Sequence, residues 1–224
     1  MEYTTTRVMR SHLKMCVYGD AGVGKTKLCG TAPNPVIISA EAGLLTLANM
    51  DLPVIEIAKP GDLQAAFKQV KKDMDMFDTV CIDSLSEIAE VLLAAYKPNF
   101  KDKRQAYGQM ADEMMDFTKA FRGFPKHVLM TSKMKPLEDE HTGIVTYRPF
   151  MPGKAFTDQL PYYFDVVACM RVKQKGQRYL QMQPSPTHLA KTRDPFGVVS
   201  SEEEPDMRLL IDKIMNGETN VTTA

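Results

Sequence analysis

Residues 19–26 read Gly-Asp-Ala-Gly-Val-Gly-Lys-Thr, a full G-x-x-x-x-G-K-[ST] match. At average composition that spacing arises by chance in roughly 1% of chains this long. Its chemistry is phosphate binding. Glycines let the main chain wrap closely round phosphate oxygens and present N–H groups at a helix N-terminus. Gly19, Asp20, Ala21, Gly22, Val23 and Gly24 would form the cradle and Lys27 would follow it on the helix. Lys25 would reach the β- and γ-phosphates of ATP, and the Thr26 hydroxyl would ligate Mg²⁺. The metal needs a partner carboxylate. Residues 79–83, Thr-Val-Cys-Ile-Asp, form an apolar strand ending in Asp83, which can face the metal through a water. The plainer alternative is an Asp that merely ends a strand. Ser84, not a second acid, follows it, so a base for water must come from elsewhere. Glu41, directly after the apolar residues 36–39, is the candidate, because a carboxylate there can face the γ-phosphate. Its alternative is an exposed loop Glu.

These side chains have to be held in place, and the pattern around them alternates strand and helix. Residues 13–18 read as a strand, 36–39 as a second, 44–49 as a small helix and 54–57 as a strand. Residues 61–73 are amphipathic, with Leu63, Ala66, Phe67 and Val70 on one face. Ser84 and Glu87 make an S-x-x-E capping box before the stripe Leu85, Ile88, Ala89, Leu92, Leu93, Tyr96. A second stripe follows at Tyr107, Met110, Met114, Phe117 and Phe121, its methionines read as core filling. Residues 127–131 are a further strand. Then 145–151, 164–172 and 179–183 succeed one another with turn signals at 141–143 and 174–176, which suggests an antiparallel edge. Met207, Leu210, Ile211, Ile214 and Met215 mark a last helix. The class is α/β, a mainly parallel central sheet flanked by helices with an antiparallel C-terminal edge.

A chain of 224 residues is best read as one domain over 1–224, with 1–12 and 217–224 loose. Its 28 Lys and Arg cancel 28 Asp and Glu, which excludes a polybasic nucleic-acid coat but not a local basic patch. Cys16, Cys29, Cys81 and Cys169 are too scattered for a zinc knuckle or disulfide framework. No apolar run approaches 18 residues and no leader is evident, so the expectation is a cytoplasmic protein without membrane contact.

The succession of residues 19–26, Ile38-Ser39-Ala40-Glu41 and Ile82-Asp83-Ser84 resembles the RecA/RadA recombinase ATPase core. More narrowly it is similar to short phage-encoded RecA-like proteins, including the Sak-type single-strand-annealing ATPases. The resemblance implies a RecA-like P-loop NTPase fold with Glu41 as catalytic base. It also implies a polar sensor in Met130-Thr131-Ser132-Lys133, where Thr131 or Ser132 stands in place of the family's amide. Residues 190–196, Ala-Lys-Thr-Arg-Asp-Pro-Phe, are similar to the two-cation segment that RecA filaments point at a neighbour's nucleotide. Lys191 and Arg193 would then act in trans, in a ring or filament of identical subunits, unless they form a solvated basic turn. By the same resemblance Lys97, Phe100, Lys101, Lys103 and Arg104 would contact single-stranded DNA, the cations on phosphates and the ring on a base.

The implied activity is Mg²⁺-dependent ATP hydrolysis, stimulated by single-stranded DNA, in recombination or annealing of phage type within the host cytoplasm. Two alternatives stand beside it. One is a non-catalytic adaptor gated by nucleotide. The other is a small-molecule P-loop kinase, against which the lack of an arginine-rich lid argues.

Overall fold

Residues 13–18, Lys14 apart, are apolar at odd and even positions alike, which suits a strand covered on both faces. The computed structural model describes residues 12–41, 44–139 and 142–218, with the backbone alone at Lys154 and Ala155. In it this segment is β1 (Lys14–Gly19), buried throughout. The later strands are β2 (Pro35–Ser39), β3 (Val54–Glu56), β4 (Thr79–Asp83), β5 (His127–Glu138), β6 (Val145–Phe150), β7 (Val166–Val172), β8 (Arg178–Gln181), β9 (Lys191–Thr192) and β10 (Glu202–Glu203). The helices are α1 (Lys25–Gly30), α2 (Gly61–Lys72), α3 (Leu85–Tyr96), α4 (Lys103–Arg122), α5 (Lys154–Gln159) and α6 (Met207–Asn216).

The described strands join one sheet in the order β10-β8-β7-β1-β5-β4-β2-β3, with β6 added to β5 and β9 to β7. From β7 to β3 every neighbouring pair is parallel. Residue parity then assigns the two faces. Cys16, Tyr18, Ile38, Val80, Ile82, Val128 and Met130 pack on the side of α2, α3, α4 and α5, against Ile88, Leu92, Met110, Met114 and Phe121. Met15, Val17, Ile37, Cys81, Leu129 and Ala168 face α1 and α6, against Leu28, Leu210 and Ile214. The ends of α3 and α4 are chemically fixed: Ser84 accepts from Glu87 N–H and Asp102 from Arg104 N–H.

Three features depart from the sequence reading. Residues 164–172 do not extend the antiparallel edge: β7 lies parallel beside β1, Val17 level with Ala168. The intervening α5 and the 3-10 turn Leu160–Tyr163 supply the crossover that a parallel return needs. The antiparallel members are β6, β8, β9 and β10. The strand expected over 127–131 runs on to Glu138, because its outer half pairs with β6, from Lys133 opposite Phe150 to Glu138 opposite Val145. The small helix expected over 44–49 is a 3-10 turn over Leu44–Leu47. Loose ends were expected at 1–12 and 217–224. Residues 1–11 and 219–224 lie outside the described residues, and Gly217 closes α6 in the left-handed conformation.

Candidate functional site

In a parallel sheet the carboxyl ends of the strands share one side, and loops leaving them form a crevice. Gly19, Glu41, Asp83 and Lys133 all lie at that end and line one cavity of about 940 Å³, with Asp20, Ala21, Gly22, Gly24, Lys25, Thr26 and Lys27. Ligand pockets usually measure some 300–1,000 Å³. The loop has to be glycine at two points for separate reasons. A Cβ on Gly19 would stand 2.6 Å from the Met170 carbonyl oxygen, and Gly24, the N-cap of α1, has φ +112°.

The metal-ligand candidates meet. Thr26 Oγ1 donates to Asp83 Oδ2 at 2.7 Å, although 57 residues separate them. Thr131 Oγ1 donates to the other oxygen, Oδ1. Ser39 Oγ supports the same turn by donating to the Asp83 carbonyl at 2.8 Å. Asp83 is 1% exposed, so its charge depends on those hydroxyls and on Lys25 nearby. Lys25 Nζ donates to the carbonyls of Gly19 (2.9 Å) and Asp20 (2.8 Å). Burial pushes its pKa down, and the carboxylates of Asp83, Glu41 and Asp20 pull it back up.

Glu41 accepts from Ser84 Oγ at 3.1 Å, so the residue that caps α3 also holds the candidate base. The capping box is thereby half realised: the Glu87 carboxylate pairs with Lys133, which also meets Glu90 at 3.0 Å. Burial first, and the Asp83 charge second, push the Glu41 pKa above the usual carboxylate value. A base so tuned holds a proton more readily than an exposed Glu.

The residues fit Mg²⁺ with nucleotide. One hydroxyl and one carboxylate in contact beside a phosphate cradle are the oxygen donors Mg²⁺ uses when substrate phosphates and water complete its shell. Among the described residues no group of three His, Cys, Asp or Glu could cage an ion alone. The nucleotide would therefore have to bring part of the coordination.

Of the other predicted residues, several lie elsewhere. Of the two sensor candidates, Thr131 touches Asp83, whereas Ser132 turns to the opposite face, to Ser86 Oγ (3.1 Å) and the Phe150 carbonyl. Alternation requires this, since Ser132 continues the face of Val128 and Met130. Lys191 and Arg193 sit at the far end of the sheet. Lys191 pairs opposite Val167, and its Nζ donates to the carbonyls of Pro161 and Phe164. Arg193 pairs with Asp165 at 3.1 Å, level with Lys14 and so about 16 Å along β1 from Gly19. In the basic stretch, Lys103 Nζ donates to the carbonyls of Lys97 and Phe100, Arg104 pairs with Asp102 at 3.2 Å, and Phe100 leans on the core. Lys97 lies over the Tyr107 ring at 5.6 Å, and Lys101 is exposed.

Sequence reasoning missed Arg178, which lines the cavity from β8, and the pairing of Lys133 with α3. Lys133 had no signal, since parity puts it on the face of Leu129 and Thr131, away from α3. Arg178 had none, because only the hairpin register brings it to the loop.

Against known proteins, residues 11–194 match the family described as AAA domain. No curated protein matches the chain. Solved structures that match include a KaiC-like protein from the hyperthermophilic archaeon Pyrococcus horikoshii, 12% identical, with 75% of this chain and 76% of that chain covered and a TM-score of 0.42.

Proposed function

The chain belongs to the AAA domain family, and from that premise we propose that it binds ATP with Mg²⁺ and hydrolyses it by in-line attack of water. One observation carries the reading: Thr26 and Thr131 grip the two oxygens of a buried Asp83 at the mouth of a phosphate-binding loop. Mg²⁺ when bound supplies neutralisation of phosphate charge. The remaining work falls to side chains. Lys25 exchanges its carbonyl partners for phosphate oxygens, and the loop N–H groups orient the chain of phosphates. Glu41, steadied by Ser84, accepts the proton of the attacking water. The Thr26 and Thr131 hydroxyls each donate to one Asp83 oxygen and so fix the orientation of the carboxylate.

The energy is spent on single-stranded DNA, in recombination or annealing of phage type, by an assembly of identical subunits. Support comes from the exposed cations Lys97 and Lys101, with Lys97 over the Tyr107 ring, a combination that suits phosphates and stacked bases. Among the described residues no helix is long and apolar enough to cross a membrane.

A second reading, the nucleotide-gated adaptor, is favoured by the engagement of Lys191 and Arg193 within their own subunit, which withholds these two cations from a neighbour's nucleotide. The ATPase rate with and without single-stranded DNA, across a salt series, separates the two. Stimulation that falls steeply with salt supports the DNA-linked ATPase. Tight ATP binding with negligible turnover, indifferent to DNA, refutes it in favour of the adaptor.

A further inference from the structure

The antiparallel edge reaches back into the phosphate-binding loop through one side chain. Arg178 opens β8, level with Val172 at the end of β7. Its Nε donates to the Val23 carbonyl at 2.8 Å, across 155 residues of sequence. Its stem lies flat on the next residue of the loop: a Cβ on Gly24 would be 3.2 Å from Arg178 Cδ. Val23 is buried, so its carbonyl needs a partner from the fold.

A guanidinium has five N–H donors in a fixed fork, and Val23 takes one. The terminal nitrogens have no hydrogen-bond partner among the described residues, and the side chain lines the same cavity as Lys25 and Thr26. Of the carboxylates that share a cavity with Arg178, Asp20 and Glu204 make no ion pair with it, and Glu202 and Glu203 are engaged elsewhere. Glu202 pairs with Lys173 at 2.6 Å and Glu203 with Lys213 at 2.7 Å. Among the described residues Arg178 therefore holds its charge at the loop with no ion-pair partner. In the sheet, β8 lies beyond β7 on one flank of β1, whereas Asp83 and Glu41 rise from β4 and β2 on the other. A polyphosphate whose terminal group meets Asp83 and Glu41 must present its nucleoside-proximal phosphates toward Arg178.

We propose that Arg178 is a nucleotide-binding residue, bracing the loop through Val23 while its terminal N–H groups hold the nucleoside-proximal phosphates of di- and triphosphates alike. The proposal rests on the cavity being a nucleotide site. Arg178 would thus set affinity through phosphates that remain after cleavage, and retain product as firmly as substrate.

The test is equilibrium binding of mant-ADP and mant-AMPPNP with Mg²⁺ to the whole chain and to Arg178→Ala, Arg178→Gln and Arg178→Lys. Arg178→Ala should weaken both nucleotides by about 10- to 100-fold, the range for charge-assisted hydrogen bonds. KM for ATP should rise by a similar factor, with a smaller change in kcat. Arg178→Lys should recover part of the affinity through charge, and Arg178→Gln, which keeps only a neutral donor for Val23, should not. If Arg178→Ala fails to fold, Arg178→Gln against Arg178→Lys makes the same comparison. Affinity within 2-fold of wild type in Arg178→Ala, loss confined to the triphosphate, or full rescue by Arg178→Gln would each overturn the phosphate contact. A wild-type chain that binds neither nucleotide ends the nucleotide-site reading and this one together, whereas normal wild-type binding with indifferent variants ends this one alone.

Discussion

Thr131→Val and Thr118→Val make the same chemical change at two fully buried positions, and the structure assigns them opposite signs. Thr131 Oγ1 donates to a carboxylate oxygen of Asp83, a residue 1% exposed, so its loss leaves that oxygen with neither hydroxyl nor bulk water. A hydrogen bond to a charged group contributes roughly 1.5–3 kcal/mol, so Thr131→Val should destabilise the fold by about 2 kcal/mol. For a chain of this length that corresponds to a fall in Tm of about 4–8 °C. Thr118 Oγ1, on α4, is buried with no partner among the described residues. Replacing it with a methyl removes an unsatisfied polar atom, and Thr118→Val should be neutral or stabilising by up to about 1 kcal/mol. The assay is urea unfolding of both variants without nucleotide, followed by Mg²⁺ titration of ATP turnover. Thr131→Val should raise the Mg²⁺ half-saturation about tenfold or more, and Thr118→Val should leave it alone. Equal midpoint shifts of the same sign in the two variants, with unchanged Mg²⁺ dependence, would refute the claim that Thr131 secures the metal carboxylate.

Glu41→Gln should retain ATP binding and lose about 10²- to 10⁴-fold in kcat, measured under saturating ATP. Because burial and Asp83 hold the Glu41 pKa above the usual value, wild-type turnover should decline on acidification sooner than an ordinary carboxylate base allows, and a flat acid limb would reassign the base. Gly24→Ala places a Cβ 3.0 Å from Met170 Cε at a backbone φ of +112°; urea unfolding should show a loss of about 1–3 kcal/mol, and nucleotide affinity should fall with it. His127 accepts the Leu13 N–H through Nδ1, and burial lowers its pKa to about 4. Between about pH 6.5 and 4 the unfolded chain takes up a proton there that the folded chain resists, so stability drops as pH falls through that window. His127→Gln, which still accepts but cannot titrate, should flatten that part of the urea-midpoint profile.

Much of the scaffold was legible because double-faced apolar strands and a capped helix leave plain marks. Residues 15–18, 36–38 and 80–82 are apolar at both parities, and each lies in a buried parallel strand. The choice between Thr131 and Ser132 was also decidable in principle. Asp83 and Cys81 share parity, as do Thr131 and Leu129, and the register Ile82 opposite Met130 sets Asp83 beside Thr131. The rest depended on pairings the sequence does not encode locally. The succession of strands after residue 144 reads as a meander, and a six-residue helix is too short to announce the parallel return of β7. That return places residues 191–193 at the foot of the sheet, so two cations that look like an arginine finger cap carbonyls and pair with Asp165. Lys103 and Arg104 look like a free basic run, yet α4 begins at them and the residues just before it, Lys97, Phe100 and Asp102, bind their side chains.

The placement of β5 between β1 and β4 has a consequence for how the protein is born. The loop and its carboxylate are both made within the first 83 residues, yet no backbone ladder joins their strands until residues 127–133 arrive to bridge them. A ribosome-bound chain shorter than that has no complete pocket, so ligand cannot lend it stability by mass action. Until then the facing edges of β1 and β4 lack the strand that joins them, the kind of unpaired edge that makes a partly made chain prone to aggregate.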